Sequence, residues 1–289
     1  MLRRKVEVVV ISDVHLGTYG CHADVLLRYL KTIQPKILIL NGDIIDFWNF
    51  KKSYFPKNHL QVIRQILKMT EKGTKTYYLT GNHDDALRRF SSLQIGNLVL
   101  DDKLILELDG KMTWFFHGDI FDSTTKGWAR ILAKLGGKGY DILILTNRII
   151  NHGLKKLGRE KVSFSKRVKN SVKRAVKWIT DFEQTAAMLA IDQSYQTVVC
   201  GHIHQPQIKI LSYEKDSILY LNSGDWVENC SALEYNEGQW ALHFESFDKN
   251  SSDVHNDYDE EWEWEAEHEV FDFLLKNQTN LLNIKKSAT

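Results

Sequence analysis

The sequence predicts a layered α/β fold, and three observations carry that prediction. Short β-branched and apolar runs alternate with helical patterns through the first 120 residues. Closely spaced strand-like runs return from Thr197 onward, separated by turn signals such as Asn236-Glu-Gly238. Between Asp119 and Thr197 lies a stretch far longer than the roughly a dozen residues that a strand crossover needs.

In order, Val6 to Ser12, Lys36 to Leu40, Lys75 to Thr80 and Thr113 to Phe116 read as buried strands. Ala23 to Thr32 and His59 to Lys72 place apolar residues at helical spacing, with Leu60, Ile63, Ile66 and Leu67 on the second helix. The later strands are Thr197 to Cys200, Ile218 to Asn222, Ala232 to Tyr235 and Trp240 to Phe244. Their short separations suit antiparallel neighbours, so the sheet is expected to be mixed, or two sheets to pack together. No internal repeat recurs at a fixed period.

A chain of 289 residues suits one large domain, or one domain with an insertion, and needs no covalent staples. Cys21, Cys200 and Cys230 cannot all pair and show no CxxC spacing, which argues against a disulfide scaffold or thiolate zinc site and for a reducing cytosol. The basic start Met1-Leu-Arg-Arg-Lys5 is not followed by an unbroken apolar stretch, so it does not read as a signal peptide. No run approaches the roughly 18 apolar residues of a membrane span. The formal net charge of +1 conceals a split. Residues 126 to 177 hold 15 Lys/Arg against 2 Asp/Glu, whereas residues 248 to 272 hold 11 Asp/Glu against 1 Lys.

Most of the expected strands end in metal-binding chemistry. The strand-end motifs are Asp13-Val-His15, Gly42-Asp43-Ile-Ile-Asp46, Gly81-Asn82-His83-Asp84, His117-Gly118-Asp119 and Gly201-His202-Ile-His204. Each motif alone has an ordinary explanation. Gly-Asp is a turn dipeptide, Asn and Asp cap helices, and His-x-His can be two surface histidines. Five of the eleven histidines at strand ends beside Gly, Asp or Asn are not explained that way. The ligand crevice of an α/β sheet lies outside the carboxyl ends of its strands, so these loops can converge on a metal site.

As a set, these motifs resemble the calcineurin-like metallophosphoesterases over residues 5 to about 245. Ile11-Ser-Asp-Val-His-Leu-Gly17, Gly42-Asp-Ile-Ile-Asp-Phe-Trp48 and Gly201-His-Ile-His-Gln-Pro206 are similar to the UDP-2,3-diacylglucosamine hydrolases of lipid A synthesis. The resemblance implies a four-layer α/β/β/α sandwich with an inserted helical cap. It implies a metallophosphoesterase domain over residues 1–247 with a basic cap over 123–190, and it ends before the acidic C-terminal extension over 248–289. Carried over position by position, it puts Asp13, His15 and His204 on one metal, Asn82, His117 and His202 on the other, and Asp43 between them. Oxygen and imidazole donors without thiolate favour two Mn²⁺ ions, with Zn²⁺ and Fe also compatible. Such a pair clamps the phosphoryl oxygens of an in-line displacement.

The catalytic pair is His83, placed beside Asn82 to protonate the leaving oxygen, and Asp84; Asp46, Asp84 and Asp119 orient their neighbours. The better-known diacylglucosamine hydrolases carry Arg where this chain has His83. The implied reaction is phosphohydrolysis, with UDP-2,3-diacylglucosamine or a related nucleotide-linked lipid cleaved to UMP and a lipid phosphate. The alternatives are a soluble nucleotide phosphodiesterase and a non-catalytic scaffold of the same fold, like the related retromer subunit. Asp122, Lys169, Asn170 and Lys173 fall where relatives touch substrate. The basic cap is read either as packing its apolar positions on the sandwich with a solvated cationic face, or, the reading favoured here, as holding acyl chains and meeting anionic lipid at the inner face of the membrane of a cytoplasmic enzyme. No nucleic-acid recognition motif accompanies its charge. The acidic extension is read either as solvated or as a cover for the cap.

Overall fold

The computed structural model describes residues 3–48, 54–121 and 166–246. Asp122, the first part of the expected cap and the acidic extension lie outside the described residues. Twelve strands form two mixed sheets among them. The first runs β12 (Gln239–Phe244), β11 (Ser231–Asn236), β1 (Arg4–Ile11), β2 (Ile33–Asn41), β3 (Lys75–Leu79), β5 (Leu98–Asp101) and β4 (Leu93–Ile95). The second runs β6 (Lys103–Leu108), β7 (Lys111–Phe116), β8 (Thr197–Cys200), β10 (Asp216–Asn222) and β9 (Gln207–Tyr213). Strands β1, β2, β3 and β5 are parallel, as are β7, β8 and β10, while antiparallel strands close every edge.

Period-two patterning places the cores. Val8 and Val10 of β1 face the second sheet, in a cluster with Ile39, Leu79, Phe115, Val199 and Leu221. Val9 and Ile11 face the other way, onto α1 (Ala23–Thr32) and α2 (Lys57–Glu71). Helix α1 buries Val25, Leu26, Tyr29 and Leu30, one stripe at helical spacing, with Asp24 in its first turn and Lys31 in its last. Helix α2 starts after Pro56 and buries His59, Val62, Ile66 and Met69. Leu67, expected on the apolar face, is 49% exposed because the buried stripe is displaced toward Val62 and Met69.

The outer face of the second sheet is covered by α3 (Lys166–Asp192), through Phe182, Ala186, Ala187 and Ala190. The small alanines let the helix axis approach the sheet closely. The layers are therefore α/β/β/α, with one shared apolar interior and two outer ones. Part of the segment expected as cap, Trp178 to Ala190, packs on this sheet. Lys169, Asn170 and Lys173 fall in the first turns of α3, their side chains outside those described.

Four strands escaped the sequence pattern: β4, β5, β6 and β9. Strand β6 alternates exposed and half-buried residues, β9 half-buried and exposed ones, and all of β4 is exposed. Such edge strands carry too weak an apolar signal to be read locally.

Candidate metal centre

The parallel strands β1, β2 and β3 of one sheet and β7 and β8 of the other end in the five motif loops. Asp13, His15, Asp43, His202 and His204 all have left-handed backbone, with φ between 51° and 68°. Asp and His enter that region more readily than most residues, at a cost of order 1 kcal/mol or more each. Backbone hydrogen bonds over-determine the conformation. Asp13 N–H donates to the Gly42 carbonyl, Val14 and His15 N–H both donate to the Asp43 carbonyl, and Gly201 N–H donates to that of His117, all at 2.9–3.1 Å. Gly81 is required by space, since a β-carbon there would collide with the Asp43 carboxylate and the His117 ring.

Among the described residues three donor groups result, each with ligand atoms within 4.8 Å of one another: Asp13, His15 and His204; Asp43, His117 and His202; and His15, Asp43 and His83. Asp43 thus groups with His117 and His202 of one expected triad and with His15 of the other. Asp13 Oδ1, His15 Nε2, Asn82 Oδ1 and His117 Nε2 are buried polar atoms without a hydrogen bond. His117 Nδ1 bonds the Asn41 carbonyl at 2.9 Å, which makes Nδ1 the protonated nitrogen and leaves a lone pair on Nε2. That lone pair lies 3.2 Å from Asp43 Oδ2, and His204 Nε2 lies 3.1 Å from Asp13 Oδ1. Buried acceptors converging this closely need a cation among them, and the oxygen and imidazole donors suit a divalent ion.

The same field acts on the imidazoles. Burial works against their charge, but Asp13 and Asp43 outweigh it: His204 is raised to about 9 and His117 well above its ordinary value. Burial also works against the carboxylates, yet the neighbouring histidines hold Asp13 and Asp43 below the usual range. A metal ion and a proton therefore compete for one negative pocket.

Asp46 joins two of these rings, with Oδ2 at 3.3 Å from His15 Nδ1 and Oδ1 at 2.9 Å from His83 Nδ1. Burial lowers the pKa of His83, but Asp46 and Asp43 overcome that and raise it above the free imidazole value. Asp84 is fully enclosed. It accepts hydrogen bonds from Gly81 N–H (2.6 Å), Ile44 N–H (2.9 Å) and the Tyr78 hydroxyl (2.6 Å), so it acts through the loop backbone. Burial and the charge of Asp43 push its pKa up to about 6, against those donors. Asp119 accepts from Arg88 Nη2 at 3.0 Å.

Sequence reasoning missed Asn41, Tyr78, Arg88 and Asp225. Asp225 lies 3.8 Å from His204 Nδ1. It is buried, and it accepts the backbone N–H groups of Val227, Glu228 and Asn229. Ser223-Gly-Asp225 follows β10 much as Gly42-Asp43 follows β2, so the same strand-end rule could have found it.

The family model for calcineurin-like phosphoesterase matches residues 6–206, spanning all five loops. The chain is a calcineurin-like phosphoesterase. A UDP-2,3-diacylglucosamine hydrolase of Aliivibrio fischeri is 26% identical over 248 residues, covering 83% of this chain and 99% of that protein. One from Neisseria gonorrhoeae is 32% identical over 124 residues, covering 42% of this chain and 51% of its own length. Among solved structures, a predicted phosphoesterase of Streptococcus pneumoniae is 16% identical and covers 83% of this chain and 88% of that one, at a TM-score of 0.34. That score is low, and the assignment rests on the family match. This phosphoesterase is therefore a metal-dependent hydrolase, and its clusters of His and Asp suit divalent ions. Among the described residues, no helix is long and apolar enough to cross a membrane.

Proposed function

We propose that this phosphoesterase cleaves the diphosphate of a nucleotide-linked glycolipid of the UDP-2,3-diacylglucosamine type, releasing UMP and a lipid phosphate. The observation that carries a hydrolytic centre is the convergence of buried, unbonded donor atoms around Asp43. Relatives of that name that align over nearly their whole length support the substrate class. In this reading Asp13, His15 and His204 hold one ion, Asn82, His117 and His202 hold the other, and Asp43 serves both. Mn²⁺ is the ion such thiolate-free donors favour. When bound, the ions supply Lewis-acid stabilisation of the phosphoryl oxygens and a nucleophilic water at neutral pH.

The protein's own groups do the rest. His83, whose pKa Asp46 and Asp43 raise, donates a proton toward the departing oxygen. Asp46 keeps His15 and His83 in fixed orientation, and Asp84 holds the loop that carries Asn82 and His83. Asp119 acts through Arg88. Asp122, Lys169, Asn170 and Lys173 are proposed to meet the substrate from the cap. The basic cap, over the 1–247 domain of a cytoplasmic protein, is proposed to touch anionic lipid.

A second reading, a soluble nucleotide phosphodiesterase, is favoured by one residue: His83 stands where the better-known lipid hydrolases carry Arg. The two readings separate in a Mn²⁺-supplemented assay comparing UDP-2,3-diacylglucosamine with UDP-glucose and cyclic nucleotides. UMP release from the lipid supports the first. Turnover of soluble diesters alone defeats it.

A further inference from the structure

We propose that Trp48 is the wall against which the sugar ring of the leaving group packs, which makes it a specificity-determining residue. The inference rests on the reading of a nucleotide-linked sugar substrate and on His83 meeting the leaving oxygen. A single exposed apolar side chain needs no explanation by itself. Trp48 is different because of where its ring lies. Its indole is 61% exposed, yet its centroid is 4.8 Å from that of His83, with the planes 34° apart. His83 in turn meets His15 edge to face at 4.7 Å. Three rings thus run from the donor cluster outward, and the last is open.

The backbone holds this arrangement, because Phe47 N–H donates to the His83 carbonyl at 3.0 Å. Trp48 therefore moves with the His83 loop. A group bonded to the oxygen that His83 serves leaves the centre beside the indole. The face of an indole is electron-rich, and the axial C–H edges of a pyranose are weakly positive, so a sugar ring lying flat on it is attracted. A uracil would also stack on an aromatic ring. It belongs, however, to the half of the substrate that keeps the attacked phosphorus, away from the leaving oxygen.

The test uses the full-length, Mn²⁺-loaded protein hydrolysing bis(p-nitrophenyl) phosphate, with N-acetylglucosamine 1-phosphate, UMP and inorganic phosphate as competitive inhibitors. Trp48→Ala should weaken inhibition by the sugar phosphate about ten-fold, leave the other two within about two-fold, and Trp48→Phe should restore most of the loss. Loss of UMP inhibition instead would assign the wall to the base and overturn the proposal. Equal loss for all three, or for none, also overturns it. If the wild type bound the sugar phosphate no better than phosphate, the sugar-linked substrate itself would fall, and the proposal with it. Tight sugar phosphate binding unaffected by Trp48→Ala would remove the proposal alone.

Discussion

Arg88 donates from Nη2 to Asp119 Oδ2 across 3.0 Å, and this contact joins the loop after β3 to the loop after β7. Its Nε also reaches Thr80 Oγ1 and Asp102 Oδ1, each at 3.2 Å. The first loop carries Asn82 and the second carries His117, two donors assigned to one ion. Arg88→Ala should weaken binding of that ion about ten-fold while leaving the other intact. Titration of the metal-free protein with Mn²⁺ would show one weakened site of two. Because the Arg88 side chain is 37% exposed, stability should change by less than about 1 kcal/mol. Two unaltered sites would refute the clasp.

Asp43 groups with His117 and His202 and separately with His15, and is proposed to serve both ions, whereas His83 is assigned to proton transfer. Asp43→Ala should therefore release both ions and abolish turnover. His83→Ala should keep both ions but lower kcat by roughly 10²–10⁴-fold. Metal content by mass spectrometry beside kcat separates the two roles. A His83 variant stripped of metal would show that its role is wrongly assigned.

Metal binding should expel protons. His204 is raised to about 9 in the metal-free protein, so at pH 7.5, to choose a working value, it starts charged, and the same carboxylates raise His117. A coordinating imidazole must be neutral, so each ion bound releases protons and affinity falls as pH drops. Calorimetry of Mn²⁺ binding in two buffers of different ionisation enthalpy measures the release. A heat independent of buffer would contradict the picture.

His59 offers a pH effect on stability away from the donors. It is buried, accepts the Gly17 N–H at Nδ1 (2.9 Å), and burial lowers its pKa to about 4. The unfolded chain takes up this proton near pH 6.5, the folded chain only near 4. Over that window the unfolded state binds more protons, so stability falls as pH falls. The contribution is intact above about 6.5. His59→Gln, which keeps an acceptor but does not titrate, should flatten the melting temperature between pH 4 and 6.5. An unchanged slope would place the effect elsewhere.

Much of the centre was legible because its donors sit in short strand-end motifs. Asp13, His15, Asp43, Asn82, His117, His202 and His204 each follow a buried run that period and composition reveal. Asp225 was passed over although Gly224-Asp225 obeys the same rule, because no histidine accompanies it. Arg88 and Tyr78 carry no local signal. Their importance lies in what they touch: Arg88 reaches Asp119, 31 residues away in the chain, and Tyr78 bonds the buried Asp84.

What the sequence by itself determined was the class of fold, the split of charge along the chain, and the chemistry waiting at the strand ends. Periodicity and donor type are local properties, and a short window holds them. Only the tertiary structure decided which donors meet. Parallel pairing of β1 with β2 and of β7 with β8 lines up the donor loops within each sheet, and packing of the two sheets brings Asp13 to His204 and Asp43 to His117. Left-handed backbone at five of those donors then turns them inward, held by hydrogen bonds between loops remote in sequence. Those bonds lie within each sheet, whereas the contacts of Asp13 with His204 and of Asp43 with His117 exist only once both sheets are assembled. The donor set could therefore be read one loop at a time, but the centre is a property of the closed sandwich.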